Sequence, residues 1–382
     1  MIRLANRLNS VEEYYFSQKL REVRELSAAG NPVINMGIGS PDLPPPDAAI
    51  AAIRDSVKDA AAHQYQSYQG LPELRKAIAD FYNGWFRVNL DFNSEILPLM
   101  GSKEGIMHIS LAFLNEGDEV LIPNPGYPTY SSVTKLVGAV PRFYYLTESS
   151  GWQPDFEALE ASDLSKVRLM WVNYPHMPTG ARGSRELFTK LIAFAKKHSI
   201  LLVNDNPYSF VLNDDPLSIL EADGAKDVAL ELNSLSKTFN LSGWRVGFVT
   251  GNKTLLDAVL KVKSNMDSGM FYGIQKGATA ALCSDKNWFA QQNAIYLRRR
   301  ELVFKLADLL GCSYDRNSSG MFVWARLPES IPDAEAFVDK LLYEKYLFVT
   351  PGKVFGSNGN RYIRFSLCLS EEKLVEAIGR IN

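Results

Sequence analysis

The chain has 382 residues, 46% hydrophobic and 22% charged, enough apolar material for one large core and a second smaller one, and this argues against disorder. A formal net charge of -2 offers no basic surplus for a nucleic-acid backbone or an anionic membrane, so neither is expected as a partner. Cys283, Cys312 and Cys368 form neither a disulfide framework nor a metal knuckle, and His63, His108, His176 and His198 lack a ligand spacing, so no metal centre is expected.

In chain order, the start "MIRLANRLNSVEEYYF" lacks the apolar region of a signal peptide, and no apolar run approaches the ~20 residues that span a bilayer. A soluble protein of the reducing cytoplasm is the expectation. "EEYYFSQKLREVREL" reads as a helix too isolated to fold alone, which should pack on a second unit. "GLPELRKAIADFYNGWF" places Pro72 at a helix start, with Leu74, Ala77, Ile78, Phe81 and Trp85 as one apolar stripe. "EVLIP", "VRLMWV", "ILLVND", "VALEL" and "WRVGFV" are short β-rich runs with little alternation, the pattern of strands buried on both faces of a parallel sheet. Between two of them "SRELFTKLIAFAKKH" predicts a helix with Ser184 as N-cap and a basic last turn. From about Trp288 the pattern changes to a long helix through "YLRRRELVFKLADLL" and the strands "MFVWARL" and "YIRFSLC". The fold class is therefore α/β: a large unit, 40–285, with a mostly parallel central sheet flanked by helices, and a smaller α+β unit built from 1–39 and 286–382.

In such sheets ligands sit beyond the carboxyl ends of the strands, and the residues there carry chemistry. Lys237, in "SLSKTFNLSGWR", is a nucleophile or Schiff-base former only where its surroundings favour the neutral amine or an imine. Its neighbours Ser234, Ser236 and Arg245 suit a phosphate. Gly101 and Ser102 end a strand and open a helix whose free N–H groups can receive an anion. Asp205, closing the buried run "ILLVND", needs a cationic partner, and a protonated pyridine nitrogen would serve. Tyr127 can stack on a flat ring and Tyr208 can donate to a phenolic oxygen, although singly each reads more readily as a packing residue.

Together "MGIGSPD", "YQGLPELR", "PNPGYPTY", "YPHMPTG", "DNPYSF", "SLSKTFNLSGWRVGF" and "YIRFSLC" resemble, in order and spacing, the class I/II aminotransferases, the fold type I enzymes dependent on pyridoxal 5'-phosphate. The resemblance covers nearly the whole chain. It implies that Lys237 carries the aldimine with the cofactor, Asp205 pairs with the pyridine nitrogen, Tyr127 stacks on the ring and Tyr208 bonds the phenolic oxygen. Ser102 and Lys103 would give backbone N–H groups to the phosphate, with Ser234, Ser236 and Arg245 adding side chains. Tyr65 matches a tyrosine that reaches the phosphate of a neighbouring subunit, which implies a homodimer. Arg364 matches the arginine that clamps a substrate's α-carboxylate, assisted by the backbone around Gly39. The implied activity is ping-pong transfer of an amino group between an L-amino acid and a 2-oxo acid. "KSNMDSGMFYGIQ" and "MGIGSPDLPPP" look most like the subgroup containing LL-diaminopimelate and aspartate aminotransferases of bacteria.

One departure stands out. Where the family usually reads NPTG, this chain reads "MPTG", and the Met177 thioether cannot donate to the cofactor's phenolic oxygen as an asparagine does. The phenolate is then expected to be more basic, with His176 or Asn173 as the groups that could restore the contact. A carbon–sulfur lyase on the same fold and a noncatalytic effector-binding relative are the alternatives. "SLSK" also fits the S-x-x-K serine hydrolase motif, but no S-D-N or K-T-G follows, and "GIGSPD" runs into Pro44, Pro45 and Pro46 instead of a dinucleotide-binding helix.

Overall fold

Alternation inside the apolar runs decides which core each strand feeds. The computed structural model describes residues 2–11, 13 and 15–381. A seven-stranded central sheet is built from β1 (Ile96–Leu99), β2 (Glu119–Asn124), β3 (Val140–Tyr145), β4 (Val167–Val172), β5 (Leu201–Asp205), β6 (Ala229–Ser234) and β7 (Gly247–Gly251). Their spatial order is β1-β7-β6-β5-β4-β2-β3. In β4, Leu169 and Trp171 face one core while Met170 and Val172 face the other. Both faces are covered, so the run reads as continuously apolar.

Strands β2 to β6 pair in parallel, and β7 runs antiparallel to both β1 and β6. The run "WRVGFV" therefore departs from the expected parallel arrangement. An apolar run buried on both faces carries no information on strand direction, and the connection 235–246 is long enough for either a parallel or an antiparallel return, so the direction is set by the pairing with β1 and β6.

Helix α1 (Tyr15–Ala28) takes in most of the N-terminal helical pattern and runs two residues past it, while Glu12 and Tyr14 of the pattern fall outside the described residues. Helix α2 (Pro72–Phe86) begins at its proline, and its buried stripe is Leu74, Ile78, Phe81, Tyr82 and Phe86, with Ala77 and Trp85 at its margin. Helix α3 (Ser102–Phe113) follows β1, and α4 (Arg185–His198) starts at Ser184, whose hydroxyl accepts from Leu187 N at 3.0 Å. Helix α5 (Lys286–Leu309) leads to a four-stranded antiparallel sheet around β8 (Phe322–Arg326) and β9 (Tyr362–Ser366). Phe16 and Val23 of α1 share one apolar cluster with Val303 and Phe304 of α5 and Val323 and Phe365 of that sheet. The strand Ile34–Asn35 pairs in parallel with Leu347–Phe348, bringing the backbone from Gly37 to Gly39 against the ends of the central strands.

Candidate active site

A cavity of about 420 Å³ opens at the carboxyl ends of β5 and β6, between the central sheet and β9. Its lining contains Gly39, Ser102, Lys103, Tyr127, Asp205, Tyr208, Ser234, Ser236, Lys237, Arg245 and Arg364. Eleven of the twelve site residues expected from the sequence thus meet in one place. Tyr65 does not: it is 91% exposed on the surface, away from this lining.

Local structure explains the fixed lysine. Ser234 ends β6 and caps the short helix Leu235–Thr238, its hydroxyl accepting from Ser236 N at 3.1 Å. The turn sets Lys237 inside the cavity, where Nζ donates to the carbonyl of Gly39. Burial lowers the ammonium to about 8 against the opposing effect of Cys368, with the cationic Arg364 and Arg245 adding to the lowering. A neutral amine is thereby within reach near neutral pH.

At the end of β5, Asp205 Oδ2 accepts from Tyr130 OH at 2.8 Å, whereas Oδ1 has no hydrogen-bond partner among the described residues. Burial pushes this carboxyl up to about 7, with Tyr130 pulling the other way. Tyr130 is itself held by stacking on Trp171, ring centroids 4.9 Å apart. A buried carboxylate with one open oxygen fits a cation of the pyridinium kind, which would restore ionisation.

An anion cradle faces it. Gly101, at φ +91, is the N-cap of α3, and a Cβ there would lie 2.9 Å from Arg245 Cζ. Only glycine lets the guanidinium come so close to the first turn of the helix. Arg245 is anchored by Nη1 donating to Ser242 O at 2.9 Å. Burial and the adjacent Arg245 lower Lys103. Two cations at a helix N-terminus suit a phosphate.

Arg364 lies in β9 with its Cζ 3.9 Å from the Phe322 ring centre and 4.6 Å from that of Phe355. Its Nη2 donates to Gly37 O at 2.8 Å and its Nη1 approaches Met177 Sδ at 3.2 Å. In the segment 37–39 the carbonyl of Gly37 accepts from Arg364 and that of Gly39 from Lys237. A Cβ on Gly39 would lie 2.5 Å from Phe322 Cε1, so the close approach requires glycine. Of the two groups that could restore the contact of the missing asparagine, Asn173 lines the cavity and His176 does not. Asn173 Nδ2 donates to the Asp205 carbonyl while its Oδ1 accepts from Met177 N, and His176 Nδ1 faces Thr179 outside the lining.

Sequence reasoning missed Tyr130, three residues after Tyr127 in "PNPGYPTY", and the phenyl rings of Phe16, Phe322 and Phe355 around Arg364. It also read the histidines as scattered, although His108 Nε2 lies 3.3 Å from Glu104 and both come together with Asp267, which Lys263 bonds at 2.8 Å.

A family model for aminotransferase class I and II matches residues 31–381. The chain is 40% identical to the LL-diaminopimelate aminotransferase of Maridesulfovibrio salexigens, covering 100% of this chain and 98% of the relative. It is similar to the apo-BacF structure of Bacillus subtilis, with TM-score 0.96 and 36% identity over 100% of this chain and 98% of that one. An aminotransferase structure from Staphylococcus aureus gives TM-score 0.90 at 33% identity, over 99% and 98% of the two chains.

Proposed function

Because the chain belongs to the class I and II aminotransferases, enzymes that move amino groups with pyridoxal phosphate, we propose specific roles for the residues of its cavity. Asp205 holds the pyridine nitrogen, Tyr127 lies against the ring and Tyr208 donates to the phenolic oxygen. The backbone of Ser102 and Lys103, with Ser234, Ser236 and Arg245, receives the phosphate. When bound, the cofactor supplies a sink for the electron pair left at the substrate's Cα. The protein supplies position and proton transfer. Arg364 clamps the α-carboxylate, and Lys237 Nζ takes the Cα proton as general base, as its depressed pKa allows. The observation that carries this reading is the convergence of Lys237, Asp205 with its open oxygen, and the Arg245 cradle in one cavity.

We further propose that the enzyme is a homodimer in which Tyr65 serves the partner's phosphate site. Tyr65, Tyr68, Met266 and Phe271 are all exposed, and Gly269 brings the 264–271 loop against Gln66 and Ser67. Such an apolar surface is expected to be covered. Residues 40–285 would form the cofactor-binding unit and 1–39 with 286–382 the smaller one. A cytoplasmic location agrees with three unpaired cysteines and with the finding that no helix among the described residues is long and apolar enough to cross a membrane. The relatives' name makes LL-diaminopimelate one donor to test beside other L-amino acids.

The test is the absorption spectrum of the pyridoxal phosphate-loaded protein before and after a panel of L-amino acids. A visible band that shifts on addition, with release of a 2-oxo acid, is expected for the wild type, and no such band for Lys237→Ala. A carbon–sulfur lyase or a sensor would keep the band yet release no transamination product. Arg364→Ala should keep the cofactor and raise KM by roughly 30-fold or more, the cost of removing a buried charge partner. Loss of bound cofactor in that variant would contradict the clamp role.

A further inference from the structure

With the Lys103 ammonium joining Arg245 at the phosphate, the roles just given, on which this inference rests, account for the charged groups among the described residues of the cavity lining. Lys103 and Arg245 stand at the first turn of α3, Asp205 ends β5, Lys237 moves the proton and Arg364 takes the carboxylate. Among the described residues of the lining, no further charged side chain is left for the far end of a substrate. Where that end must lie follows from the backbone 37–39. Gly37 O accepts from Arg364 and Gly39 O accepts from Lys237, so this segment spans the gap between the two. A Cα whose carboxylate is on Arg364 and whose proton goes to Lys237 is beside Ile38, the residue between those carbonyls. Phe355 and Phe16 flank the same guanidinium, at 4.6 and 5.6 Å from its Cζ to their ring centres, and Leu20 stands one turn along α1 from Phe16.

We propose that Phe16 and Leu20 of α1, with Ile38 and Phe355, form the wall that receives the donor's side chain. The preferred donors are then L-amino acids with large uncharged side chains, aromatic or branched aliphatic, ahead of acidic donors and of a diamino dicarboxylic acid. A carboxylate or ammonium against this wall loses water and finds no ion partner, whereas each methylene buried there gains roughly fourfold in affinity. The loop beside Tyr65 leaves the charge count unchanged. Its exposed side chains, Met266 and Phe271, are uncharged, and Lys263 and Asp267 are buried and bonded to each other.

Two carboxylates without an amine, 3-phenylpropanoate and glutarate, read the wall without turnover when titrated calorimetrically into the pyridoxal phosphate-loaded protein. The aromatic acid should bind about tenfold more tightly or better, and Leu20→Ala should narrow that preference about threefold or more. Glutarate binding as tightly as 3-phenylpropanoate overturns the proposal. A parallel stopped-flow panel of L-phenylalanine, L-leucine, L-glutamate and LL-diaminopimelate separates this inference from the reading it rests on. Charged donors reacting as fast as the apolar ones overturn the wall and keep the transaminase. A calorimetric preference with no 2-oxo acid from any donor overturns the transaminase roles and supports the wall.

Discussion

At Asp205 one oxygen is bonded and the other is open, and the group titrates near 7 because burial removes the water that would stabilise its charge. Its folded pKa lies above the unfolded value of about 3.9. The stability it contributes to the cofactor-free protein is therefore fully present below about pH 4 and is lost as pH rises through 7. Chemical denaturation of the cofactor-free wild type and Asp205→Asn should differ in slope over that window, with the wild type losing on the order of 2–4 kcal/mol more. Identical slopes would mean that the carboxyl ionises freely and needs no cation. The aspartate itself was legible, since an acid closing an apolar strand needs a partner. Tyr130 was not, because its hydroxyl acts on a residue 75 positions away, and nothing in "PNPGYPTY" distinguishes it from a packing tyrosine.

Elements follow the same division. Caps and periodicity are local, so α2 and α4 begin at Pro72 and after Ser184 as the sequence indicates. The reversal of β7 and the glutamate inside "VALEL" depend on what lies opposite. Glu231 is fully buried in β6, its Oε1 accepting from Tyr82 OH and Ser218 Oγ, both at 2.8 Å, and its Oε2 from Asn204 Nδ2 at 3.1 Å and Ile219 N at 3.0 Å. Burial raises its pKa against these four donors. The acid thus ties α2, the turn at Ser218 and two strands together. Glu231→Ala would strand those donors and should cost about 3 kcal/mol or more in urea denaturation at fixed protein concentration. Glu231→Gln should keep most of that stability, because the two hydroxyls can rotate to accept from an amide placed at Oε1 while the remaining oxygen serves Asn204 and Ile219. A glutamine variant as unstable as alanine would show that charge, not hydrogen bonding, holds this junction.

For the whole molecule, the residue that one chain leaves unexplained is Tyr65. Its ring is 91% exposed, and motif resemblance alone connects it to a phosphate. Within a single chain Tyr65 stands outside the described lining of the Lys237 cavity, so a role there needs a second subunit. In a homodimer of the kind proposed, each site draws Lys237 from one subunit and Tyr65 from the other, which makes the two substitutions separable. Tyr65→Phe removes one charge-assisted hydrogen bond and should weaken pyridoxal phosphate binding by about tenfold. Lys237→Ala leaves Tyr65 intact but removes the visible band from its own site. When the two variants are unfolded, mixed and refolded together, every mixed dimer holds one site with both Lys237 and a partner's tyrosine. Titration with limiting pyridoxal phosphate should then recover a fraction of visible-band sites with wild-type affinity, a fraction that neither variant has alone. If the mixture binds no more tightly than Tyr65→Phe by itself, the tyrosine does not act across an interface, and its exposure is that of an ordinary surface side chain.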